Sequence, residues 1–520
     1  MTSGRRTLAV LAEQAVGRTG EHASLAFEGQ IFRNTELADR AARVGGGLRE
    51  MGVRPGDRVV VLMANCPEVT ITYGALWRAG AVVTPVIFLL TADELVHVLV
   101  DSSAVAVVTT SEFLAKVSAA VVQAPAVRHV VVVGEIGRGG GADGGVVTPY
   151  AALEAAAPAG VVDRADDDLA ALLYTGGTTG RAKGVMLSHD NLWTAGASSH
   201  AASYVPGLTR NLLPLPLSHA YGILVTAVGM HVPEPGFTVL MRWFGPAGWL
   251  SLADEHRITR SSLVPSMLQI LLGQPLEEAD LSALRYVSSG GAPLAREVAD
   301  EFERRVPGVE ILEGYGCTET SAIISTNRPT RRRLGSVGEA VSGVDVRILT
   351  DDGVEVPPGT TGEITVRSAT VMRGYWHADD ETAAVLRDGW LRTGDIGRVD
   401  DDGYLYVVDR KKDLILRGGF NVFPRDIEDV LLGHPDVVAA GVVGRPDLRY
   451  GEEVVAFVTL RAGASTTAED LVAFGRTRLS TTKYPREVHL VDAVPLTSVG
   501  KTDRKALRSR LLGFAGPLSG

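Results

Sequence analysis

One segment of the chain reads Tyr174-Thr-Gly-Gly-Thr-Thr-Gly-Arg-Ala-Lys-Gly-Val-Met-Leu-Ser-His189. The ten residues from Thr175 to Gly184 include four glycines, three threonines and one lysine, Lys183. Glycines let a backbone fold closely around phosphate oxygens, while the hydroxyls and the lysine add hydrogen-bond donors and positive charge. The apolar run over residues 169–174 predicts a buried strand. The loop would therefore leave a strand end, where α/β folds usually bind ligands.

Two other interpretations of this loop remain open when it is taken alone. A loop rich in glycine and threonine can be a flexible connection rather than a binding site. A Walker phosphate loop ends in glycine and lysine followed by serine or threonine, but here Lys183 is followed by Gly184. The order of residues therefore argues against a P-loop kinase or GTPase.

The size and charge of the chain exclude some classes of protein. With 520 residues it is too long for one ordinary domain, so two or more are expected. The net charge of -10, with both signs mixed along the chain, argues against nucleic acid as a partner. The basic cluster Arg331-Arg332-Arg333 is interpreted as a solvated loop that an anionic nucleotide could contact.

The cysteines and the apolar runs indicate a compartment. Cys66 and Cys317 are the two cysteines of the chain, too few for a disulfide framework, which suits a reducing cytosol. The apolar stretch at residues 8–12 is too short for the core of a signal peptide, and no run approaches membrane-spanning length. We therefore expect a cytoplasmic protein without stable membrane insertion.

Hydrophobic periodicity predicts repeated strand and helix units in the first part of the chain. Thr35 is predicted to cap a helix whose apolar residues recur at helical spacing. A strand over 58–63, a helix over 67–79 and a strand over 81–86 follow. Such units imply an α/β fold with a largely parallel sheet covered by helices. The glycine-rich piece over 134–145 is interpreted as a loop between elements.

The pattern changes near the end of the chain. A strand over 404–408 leads into a charged cluster over 409–413. A compact unit is predicted after it, with helices over 427–432 and 468–479 and strands over 437–443 and 454–460. We place a domain boundary at the charged cluster.

The glycine-rich loop resembles the phosphate loop of the adenylate-forming superfamily, which includes acyl-CoA synthetases, aryl-CoA ligases, nonribosomal peptide adenylation domains and beetle luciferases. The family pattern is Tyr-Thr-Ser/Gly-Gly-Thr-Thr-Gly-x-Pro-Lys-Gly-Val, and Ala182 stands where proline is usual. Further family motifs follow in the family's order: Leu215-Pro-Leu-Ser-His-Ala-Tyr-Gly222, Ser289-Gly-Gly-Ala-Pro-Leu294, Gly314-Tyr-Gly-Cys-Thr-Glu319, Arg392-Thr-Gly-Asp-Ile-Gly397, Asp409-Arg-Lys-Lys-Asp413 and Gly500-Lys501. The resemblance spans nearly the whole chain.

This resemblance implies an α/β fold with an α+β C-terminal part. A large multi-sheet domain over 1–410 would bind AMP and the acyl group, and a small mobile domain over 411–520 would carry the catalytic lysine. The implied reaction has two halves. A carboxylate attacks the α-phosphate of ATP, which gives an acyl-adenylate and pyrophosphate; the thiol of CoA, or of a carrier protein's phosphopantetheine, then displaces AMP. The implied cofactors are ATP, Mg²⁺ and CoA.

The resemblance also assigns the nucleotide site. The phosphates would be held by Thr175, Gly176, Gly177, Thr178, Thr179, Gly180 and Lys183. Thr175 and Glu319 would contact Mg²⁺, which prefers oxygen ligands, and Thr318 would donate to the α-phosphate. The adenine and adjoining acyl sites would be lined by Gly291, Ala292, Glu313, Gly314 and Tyr315. Asp395 would accept hydrogen bonds from both ribose hydroxyls, and Arg410 would also contact the ribose.

The C-terminal part would supply the groups that move during the reaction. Lys501 resembles the family's catalytic lysine, which stabilises the negative charge that builds up in the adenylation transition state. Lys412 matches the family's hinge, about which the C-terminal domain is expected to rotate after adenylation. The rotation would bring Gly418 and Gly419 towards the pantetheine tunnel.

The family's acyl-pocket positions correspond to His219, Tyr221, Gly222, Val225, Ser288, Gly316 and Ile323. His219 is interpreted as an aromatic gate rather than a general base, because the acid is already ionised at pH 7; a core histidine is the alternative. The other positions are small or apolar, and a substrate charge buried there without a partner would be unfavourable. We therefore expect a medium- or long-chain fatty acid first and an aryl or cinnamate-like acid second, rather than dicarboxylates or amino acids.

The leading function is thus an acyl-CoA synthetase of bacterial fatty acid metabolism. An enzyme that loads a fatty or aryl acid onto a carrier protein is a near neighbour, and the sequence does not separate the two. An oxidoreductase of the luciferase kind and a non-catalytic nucleotide-binding protein are further alternatives.

Overall fold

The protein is described by a computed structural model over residues 5–136, 146–175, 181–496 and 502–514. Five predicted phosphate-loop residues, 176–180, lie outside the described residues, and so does Lys501. Most of the glycine-rich loop predicted over 134–145 is outside them as well.

The strands, in chain order, belong to four sheets. They are β1 (Ala23–Phe27), β2 (Gln30–Arg33), β3 (Arg58–Leu62), β4 (Val82–Pro85), β5 (Ala106–Thr110), β6 (His129–Val133), β7 (Val146–Pro149), β8 (Leu169–Thr175), β9 (Lys183–Ser188), β10 (Arg210–Leu213), β11 (Phe237–Leu240), β12 (Arg260–Leu263), β13 (Tyr286–Ser289), β14 (Glu310–Tyr315), β15 (Ser325–Thr326), β16 (Glu339–Ala340), β17 (Val344–Leu349), β18 (Gly362–Ser368), β19 (Gly374–Tyr375), β20 (Leu386–Arg387), β21 (Trp390–Val399), β22 (Leu405–Arg410), β23 (Ile415–Arg417), β24 (Phe420–Val422), β25 (Val437–Asp447), β26 (Gly451–Leu460) and β27 (Glu487–Leu490).

The helices follow in the same order. They are α1 (Leu8–Thr19), α2 (Asn34–Glu50), α3 (Pro67–Arg78), α4 (Ala92–Asp101), α5 (Leu114–Val121), α6 (Tyr150–Glu154), α7 (His189–Ser203), α8 (Ala220–Gly229), α9 (Pro246–Glu255), α10 (Pro265–Leu272), α11 (Arg296–Arg305), α12 (Asp379–Val385), α13 (Pro424–Leu432), α14 (Ala468–Arg476) and α15 (Arg504–Phe514). Short 3-10 turns occur at Ser111–Phe113, Leu276–Glu278, Thr318–Thr320 and Lys411–Asp413.

Two large sheets contain most of the parallel strands. The first sheet has the order β16-β15-β14-β13-β12-β10-β11-β1-β2 and is parallel from β14 to β1. The second sheet has the order β19-β9-β8-β4-β3-β5-β6-β7, is parallel from β8 to β7, and includes an antiparallel hairpin of β8 and β9. Valines 59 to 61 of β3 are fully buried, as expected where helices cover both faces of a parallel sheet. The α/β prediction is confirmed.

A layer of helices lies between these two sheets. Alternate residues of a strand face opposite layers: Leu213 belongs to the core that the two sheets share, whereas Leu212 packs with α9, α10 and α11. In the middle layer α7 packs against α8, and Gly196 lies so close to Ala227 that a larger residue would collide with it. The residues predicted around adenine lie near the carboxyl ends of the first sheet's parallel strands, whereas Thr175 and Lys183 lie on the second sheet.

Most predicted elements in the first part occur with ends shifted by a residue or two. The strand over 58–63, the helix over 67–79 and the strand over 81–86 are β3, α3 and β4. The predicted cap at Thr35 is wrong, because α2 begins at Asn34 and Arg33 occupies the capping position. The carboxylate of Glu36 accepts the Arg33 backbone N–H at 3.4 Å, so an acidic side chain of the first turn supplies the contact there.

Two smaller, mainly antiparallel sheets follow. The third sheet has the order β17-β18-β21-β20, with β22 paired to β21, and the fourth has the order β24-β23-β26-β25, with β27 paired to β26. Helices α13 and α14 cover the fourth sheet through a core of their own that includes Ile427, Val442 and Leu471. The chain leaves the third sheet at Arg410 and enters the fourth at Ile415. A domain boundary between residues 410 and 411 stays a prediction.

Across the described ranges, none of the helices combines the length and the apolar character that crossing a bilayer requires.

Candidate active site

The predicted phosphate loop joins the two strands of a β-hairpin. Thr175 at the end of β8 lies opposite Lys183 at the start of β9. The Lys183 ammonium lies 5.2 Å from the centre of the Tyr375 ring and 4.0 Å from a carboxylate oxygen of Glu381. Tyr375 reaches this position because β19 pairs with β9, where it is opposite Val185. A cation above an aromatic face is attracted to the ring while its hydrogen-bond donors remain available.

Glu319 lies on the turn Thr318–Thr320 and contacts the same tyrosine. The Tyr375 hydroxyl donates to Glu319 Oε1 at 2.9 Å, and the Met372 N–H donates to the Glu319 carbonyl at 2.8 Å. Burial raises the pKa of Tyr375, and the charge of Glu319 raises it further. The tyrosine therefore keeps its proton and acts as a donor. Through Tyr375 the structure brings Lys183 and Glu319 to one place.

The backbone that leads into Glu319 is closely packed. A side chain on Gly316 would lie 2.5 Å from the backbone nitrogen of Ile323, a separation that only glycine avoids. The Cys317 N–H donates to Thr320 Oγ1 at 3.1 Å, and Thr320 Oγ1 lies 3.1 Å from the Cys317 carbonyl. These contacts hold the turn that presents Glu319. The predicted acyl-pocket role of Gly316 stays a prediction.

The residues predicted around adenine lie at the ends of β13 and β14. A side chain on Gly290 would come within 3.1 Å of the Gly314 carbonyl oxygen, so the two backbones approach closely there. Gly291 has a φ of 83°, a conformation that favours glycine. Ala292 follows it, and Glu313 precedes Gly314 on β14. Small residues therefore leave room for a flat ring beside the strand ends.

Glu313 couples this wall to the C-terminal part of the chain. Burial raises the pKa of Glu313 to about 7, an effect that the charges of Arg425 and Arg332 oppose. Arg425 belongs to α13; its N–H donates to Asp409 Oδ2 at 2.9 Å, and its Nη1 donates to the Val407 carbonyl at 2.8 Å. The charge of a residue in the C-terminal part thus acts on Glu313.

The two residues predicted at the ribose, Asp395 and Arg410, contact each other, and Tyr315, predicted near adenine, contacts Asp395 as well. The Tyr315 hydroxyl donates to Asp395 Oδ2 at 2.6 Å, and Arg410 Nε lies 2.9 Å from Asp395 Oδ1. Asp395 and Arg410 are directly opposite each other on β21 and β22. The charge of Asp395 is the largest cause of a raised Arg410 pKa. Asp395 is 3% exposed, and each of its oxygens still has a lone pair for a further donor.

One wall of the predicted acyl pocket is formed by α8 and the first sheet. His219 occupies the N-cap of α8, where its Nδ1 accepts the Tyr221 N–H at 3.3 Å. Burial raises the pKa of Tyr221, and the Ser262 side chain opposes this effect. Ser262 on β12 is in register with Ser288 on β13. The structure therefore brings His219, Tyr221 and Ser288 together, with Ser262 as an additional member.

The other predicted pocket residues lie around this wall. A side chain on Gly222 would meet the Leu217 Cα at 2.6 Å, so the close packing of α8 on the preceding segment requires glycine. Ile323 is buried in the shared core, and Val225 is partly buried against it. Their contact with an acyl group stays a prediction.

A cavity of about 300 Å³ lies beside Glu319. It is lined by Cys317, Glu319, Glu363, Tyr375, Ala384, Val385, Leu391, Arg392, Thr393, Gly394 and Lys411. The buried carboxylate of Glu363 lies 3.1 Å from the Lys411 ammonium and 3.2 Å from Arg392 Nε. Sequence reasoning missed Tyr375, Glu363 and Lys411. Only Lys411 lies in a quoted motif; the other two have no local signal beyond a Gly-Tyr-Trp triplet around Tyr375.

The predicted hinge residue lies between the third and fourth sheets, and the predicted tunnel residues lie within the fourth. Lys412 is the central residue of the turn Lys411–Asp413, and burial lowers its pKa. Gly418 and Gly419, with φ of 59° and 81°, form the tight turn between β23 and β24. Lys501 is outside the described residues, so its position relative to these groups stays a prediction.

Comparison with known proteins identifies the class that this fold and site define. Residues 12–376 match the model of AMP-binding enzymes, and residues 426–501 match that of the AMP-binding enzyme C-terminal domain. The chain is 36% identical over 495 residues to a feruloyl-CoA synthase of an Amycolatopsis species, which covers 93% of this chain and 94% of that protein. It is 32% identical over 531 residues to a long-chain-fatty-acid–CoA ligase of Bacillus subtilis. This match covers 96% of this chain and 94% of that protein.

A solved structure shows the same relationship. The ATP-bound MatB of Rhodopseudomonas palustris superimposes with a TM-score of 0.88 at 31% identity, over 98% of this chain and 100% of that chain. The fold is therefore that of adenylate-forming enzymes. The chain belongs to the family of AMP-binding enzymes, and it is an AMP-forming acid–thiol ligase.

Proposed function

We propose that the enzyme forms CoA thioesters of monocarboxylic acids with an apolar body, with medium- or long-chain fatty acids as the first substrate class. The observation that carries this proposal is the wall of Tyr221, Ser262 and Ser288 between α8 and the first sheet. This wall has hydroxyl groups and apolar surface but no ionised side chain. If the substrate had a charged group besides its reacting carboxylate, that group would be buried against this wall without a partner of opposite charge.

In the first half-reaction, a substrate carboxylate oxygen attacks the α-phosphorus of ATP. The bond to the oxygen that bridges the α- and β-phosphates breaks, and pyrophosphate leaves with that electron pair. Lys183 and the loop after Thr175 stabilise the phosphates by charge and hydrogen bonds. Tyr375 supports both Lys183 and Glu319, since it contacts the two side chains at once. Lys501 is proposed to neutralise charge at the reacting oxygens.

The residues present fit a Mg²⁺ ion bound together with phosphates. Among the described residues, no group of three or more histidine, cysteine, aspartate or glutamate side chains converges, and Mg²⁺ in such sites takes few protein ligands. Tyr375 donates to one oxygen of Glu319, so the other oxygen would be available to hold the ion, and the Thr175 hydroxyl is proposed as a second ligand. When bound, Mg²⁺ would neutralise charge on the phosphates and orient them.

The rest of the nucleotide is held by residues on three strands. Asp395 is proposed to accept hydrogen bonds from both ribose hydroxyls, because Tyr315 and Arg410 fix its position and leave free lone pairs. Arg410 lies at the edge of the same site. Glu313 and Gly314 are proposed to border the adenine ring.

In the second half-reaction, the thiol sulfur attacks the carbonyl carbon of the acyl-adenylate. The bond to the AMP oxygen breaks, AMP leaves and the thiol proton is released. We assign CoA as the acceptor, with Gly418 and Gly419 beside the incoming pantetheine after a rotation about Lys412. A carrier-protein phosphopantetheine has the same reactive thiol and is the alternative acceptor.

A cinnamate-like acid is the second candidate substrate. The Tyr221 hydroxyl and Ser262 form a polar pair within the pocket wall, which can orient a substituted aromatic ring. The similarity to a feruloyl-CoA synthase, at 36% identity, supports this class. A bare alkyl chain would leave this polar pair without a substrate partner.

The substrate test is acid-dependent pyrophosphate release over a panel of fatty, cinnamate-like and dicarboxylic acids. Release confined to fatty acids supports the first candidate, and release confined to cinnamate-like acids supports the second. Preference for a dicarboxylic acid would contradict the pocket argument. A Tyr221→Phe variant tests the polar pair, because it should weaken only the use of acids that bear ring hydroxyl or methoxy groups.

The acceptor test supplies the best acid with CoA and, separately, with a holo carrier protein. Thioester formation on CoA supports the proposal. Thioester formation on the carrier protein alone would contradict CoA as the acceptor and assign the enzyme to carrier loading.

A further inference from the structure

A second cavity, of about 200 Å³, lies at the amino-terminal edge of the first sheet. Its lining includes Tyr204, Asn211, Glu234, Phe237, Thr238 and Arg260. Because parallel strands share one direction, this edge is opposite the strand ends that carry the candidate active site. None of the nucleotide-site residues described above lines the cavity.

Arg260 is a cation in this cavity without an acidic partner. It is the first residue of β12, in register with Asn211 on one side and Tyr286 on the other. Ser261 faces the opposite layer, where its hydroxyl contacts Trp249, so Arg260 faces the middle layer. In the part of the chain that the structure describes, the side chain of Arg260 makes no ion pair and no hydrogen bond. Burial lowers its pKa, and no acidic group opposes this effect.

The surroundings of Arg260 are themselves positive. Arg18 donates from Nη2 to the Met230 carbonyl at 2.6 Å and from Nε to the Val232 carbonyl at 3.3 Å. These partners are neutral, so the charge of Arg18 is not cancelled. Burial lowers the pKa of His200, and the charges of Arg260 and Arg18 lower it further. The positive charges of Arg260 and Arg18 therefore both reach the imidazole of His200.

The acidic residue of the lining is already engaged elsewhere. Glu234 accepts from the Tyr204 hydroxyl at 2.7 Å and from the Gly207 N–H at 3.0 Å. These two donors lower the pKa of Glu234, and neither arginine contributes to the shift. Glu234 is thus part of the cavity's rim rather than a counter-ion of Arg260.

We propose that this cavity is an accessory site for a small oxyanion, a phosphate or a short carboxylate, which pairs with Arg260. Arg260 is partly buried and its guanidinium has no counter-charge, so an anion can pair with it; a planar fork of donors matches a carboxylate or phosphate. Asn211 and Thr238, in register with each other beside Arg260, add polar groups to the cavity. The volume suits an anion of a few heavy atoms and excludes a nucleotide.

The same oxyanion chemistry has a second possible source, the far end of the acyl substrate. Arg260 and Ser262 lie on one face of β12, two residues apart, which corresponds to about 6.6 Å along a strand. A substrate with an ω-carboxylate long enough to pass Tyr221 could reach Arg260. The geometry favours a separate anion, because the cavity lining includes neither Tyr221 nor Ser262.

The test is titration calorimetry of the full-length enzyme with inorganic phosphate and with succinate, at constant ionic strength set by chloride. The variant is Arg260→Gln. The matched control is Arg210→Gln, which removes one positive charge at the same edge of the sheet; Arg210 donates to the His256 carbonyl at 2.5 Å and lies over the Phe237 ring. We expect saturable binding to the wild type and to Arg210→Gln, and binding at least about tenfold weaker in Arg260→Gln.

Three outcomes would overturn the proposal: no saturable binding of either anion, binding that Arg260→Gln leaves unchanged, or equal losses in both variants. Thermal unfolding in chloride checks folding, and Arg260→Lys, which keeps the charge, should retain part of the binding. Repeating the titration with AMP and the best acid at saturation separates the two sources. Unchanged affinity supports a separate site, whereas competition by the acid would assign Arg260 to the acyl pocket.

Discussion

The hydroxyl of Tyr375 donates a 2.9 Å hydrogen bond to the carboxylate of Glu319. The same ring lies 5.2 Å from the Lys183 ammonium. One tyrosine therefore orients the carboxylate proposed to hold Mg²⁺ and stands beside the lysine proposed to hold phosphate. A hydrogen bond to a charged group contributes about 1.5–3 kcal/mol.

Tyr375→Phe removes this hydrogen bond and keeps the ring beneath Lys183. We expect the rate of acid-dependent pyrophosphate release to fall about tenfold or more, because Glu319 loses the donor that fixes its orientation. The control is Tyr406→Phe, since the Tyr406 hydroxyl bonds to Asp400 on the third sheet, away from the cavity beside Glu319. Equal rates for Tyr375→Phe and the wild type would show that the hydrogen bond is not used.

Asp395→Asn tests the ribose site. The substitution keeps the shape of the side chain but leaves the Arg410 guanidinium without its ion-pair partner. We expect ATP to bind about tenfold or more weakly in an equilibrium binding assay, with the KM for the acid little changed. Asp345→Asn, which breaks an exposed pair with Arg367, is the control. An unchanged affinity for ATP would contradict the assignment of Asp395.

Gly222→Ala tests whether Gly222 serves packing or the substrate. The added methyl group would lie 2.6 Å from the Leu217 Cα, and overpacking of this kind costs about 1–3 kcal/mol of the free energy of unfolding. We expect a lowered melting temperature with the preference among acids retained. Gly17→Ala in α1, where the added carbon meets no atom within 4 Å, is the helical control. A changed acid preference at wild-type stability would instead assign Gly222 to the pocket.

Glu313 gives the enzyme a pH-dependent stability. Its pKa is raised from 4.5 to about 7 in the folded state, so the folded protein binds this proton more tightly than the unfolded chain. The stability contributed by this group is therefore present at low pH and is lost as the pH rises between these values. Glu313→Gln removes the titration. We expect its melting temperature to fall less than that of the wild type between pH 5 and about pH 8.

The control for this measurement is Glu50→Gln, because Glu50 is exposed on α2. If the melting temperatures of Glu313→Gln and the wild type depend on pH in the same way, the pKa of Glu313 is not raised in the folded state.

Features that depend on neighbouring residues could be predicted from the sequence. Contacts between segments that are distant in the chain could not. The strand that ends at Thr175 was predicted from an apolar run. The contact of Tyr375 with Glu319 was not, since it depends on the pairing of β19 with β9 across the second sheet. The start of α2 was missed for a related reason: Glu36 competes with Thr35 for the helix terminus, and only the folded backbone shows which side chain makes the contact.

Arg260 illustrates the same limit for charge. In the sequence it is one of many arginines, and an arginine is exposed by default. Its partly buried position follows from the register of β12 with β10 and β13, which aims its side chain into the middle layer. Patterns of single residues do not reveal which cations lack a partner.

Lys412→Pro tests the proposed hinge. Arg410 is tied to Asp395, and Asp413 accepts a 3.0 Å hydrogen bond from Arg508 of α15, so Lys412 lies between a residue held by the third sheet and one held by the C-terminal helix. Proline fixes its own φ and restricts the preceding residue, whereas Lys412→Ala removes the charge and leaves the backbone free. We expect Lys412→Pro to slow thioester formation from preformed acyl-adenylate far more than pyrophosphate release.

Lys501→Ala should give the opposite pattern, because a lysine at the reacting phosphate acts in adenylation alone. The two half-reactions are measured separately in each variant, by pyrophosphate release and by thioester formation from supplied acyl-adenylate. If Lys412→Pro and Lys412→Ala lose the thioester half equally, the ammonium rather than the backbone is responsible, and the hinge assignment fails. If Lys501→Ala loses both halves equally, Lys501 is not specific to adenylation, and the proposed division of labour between the half-reactions fails with it.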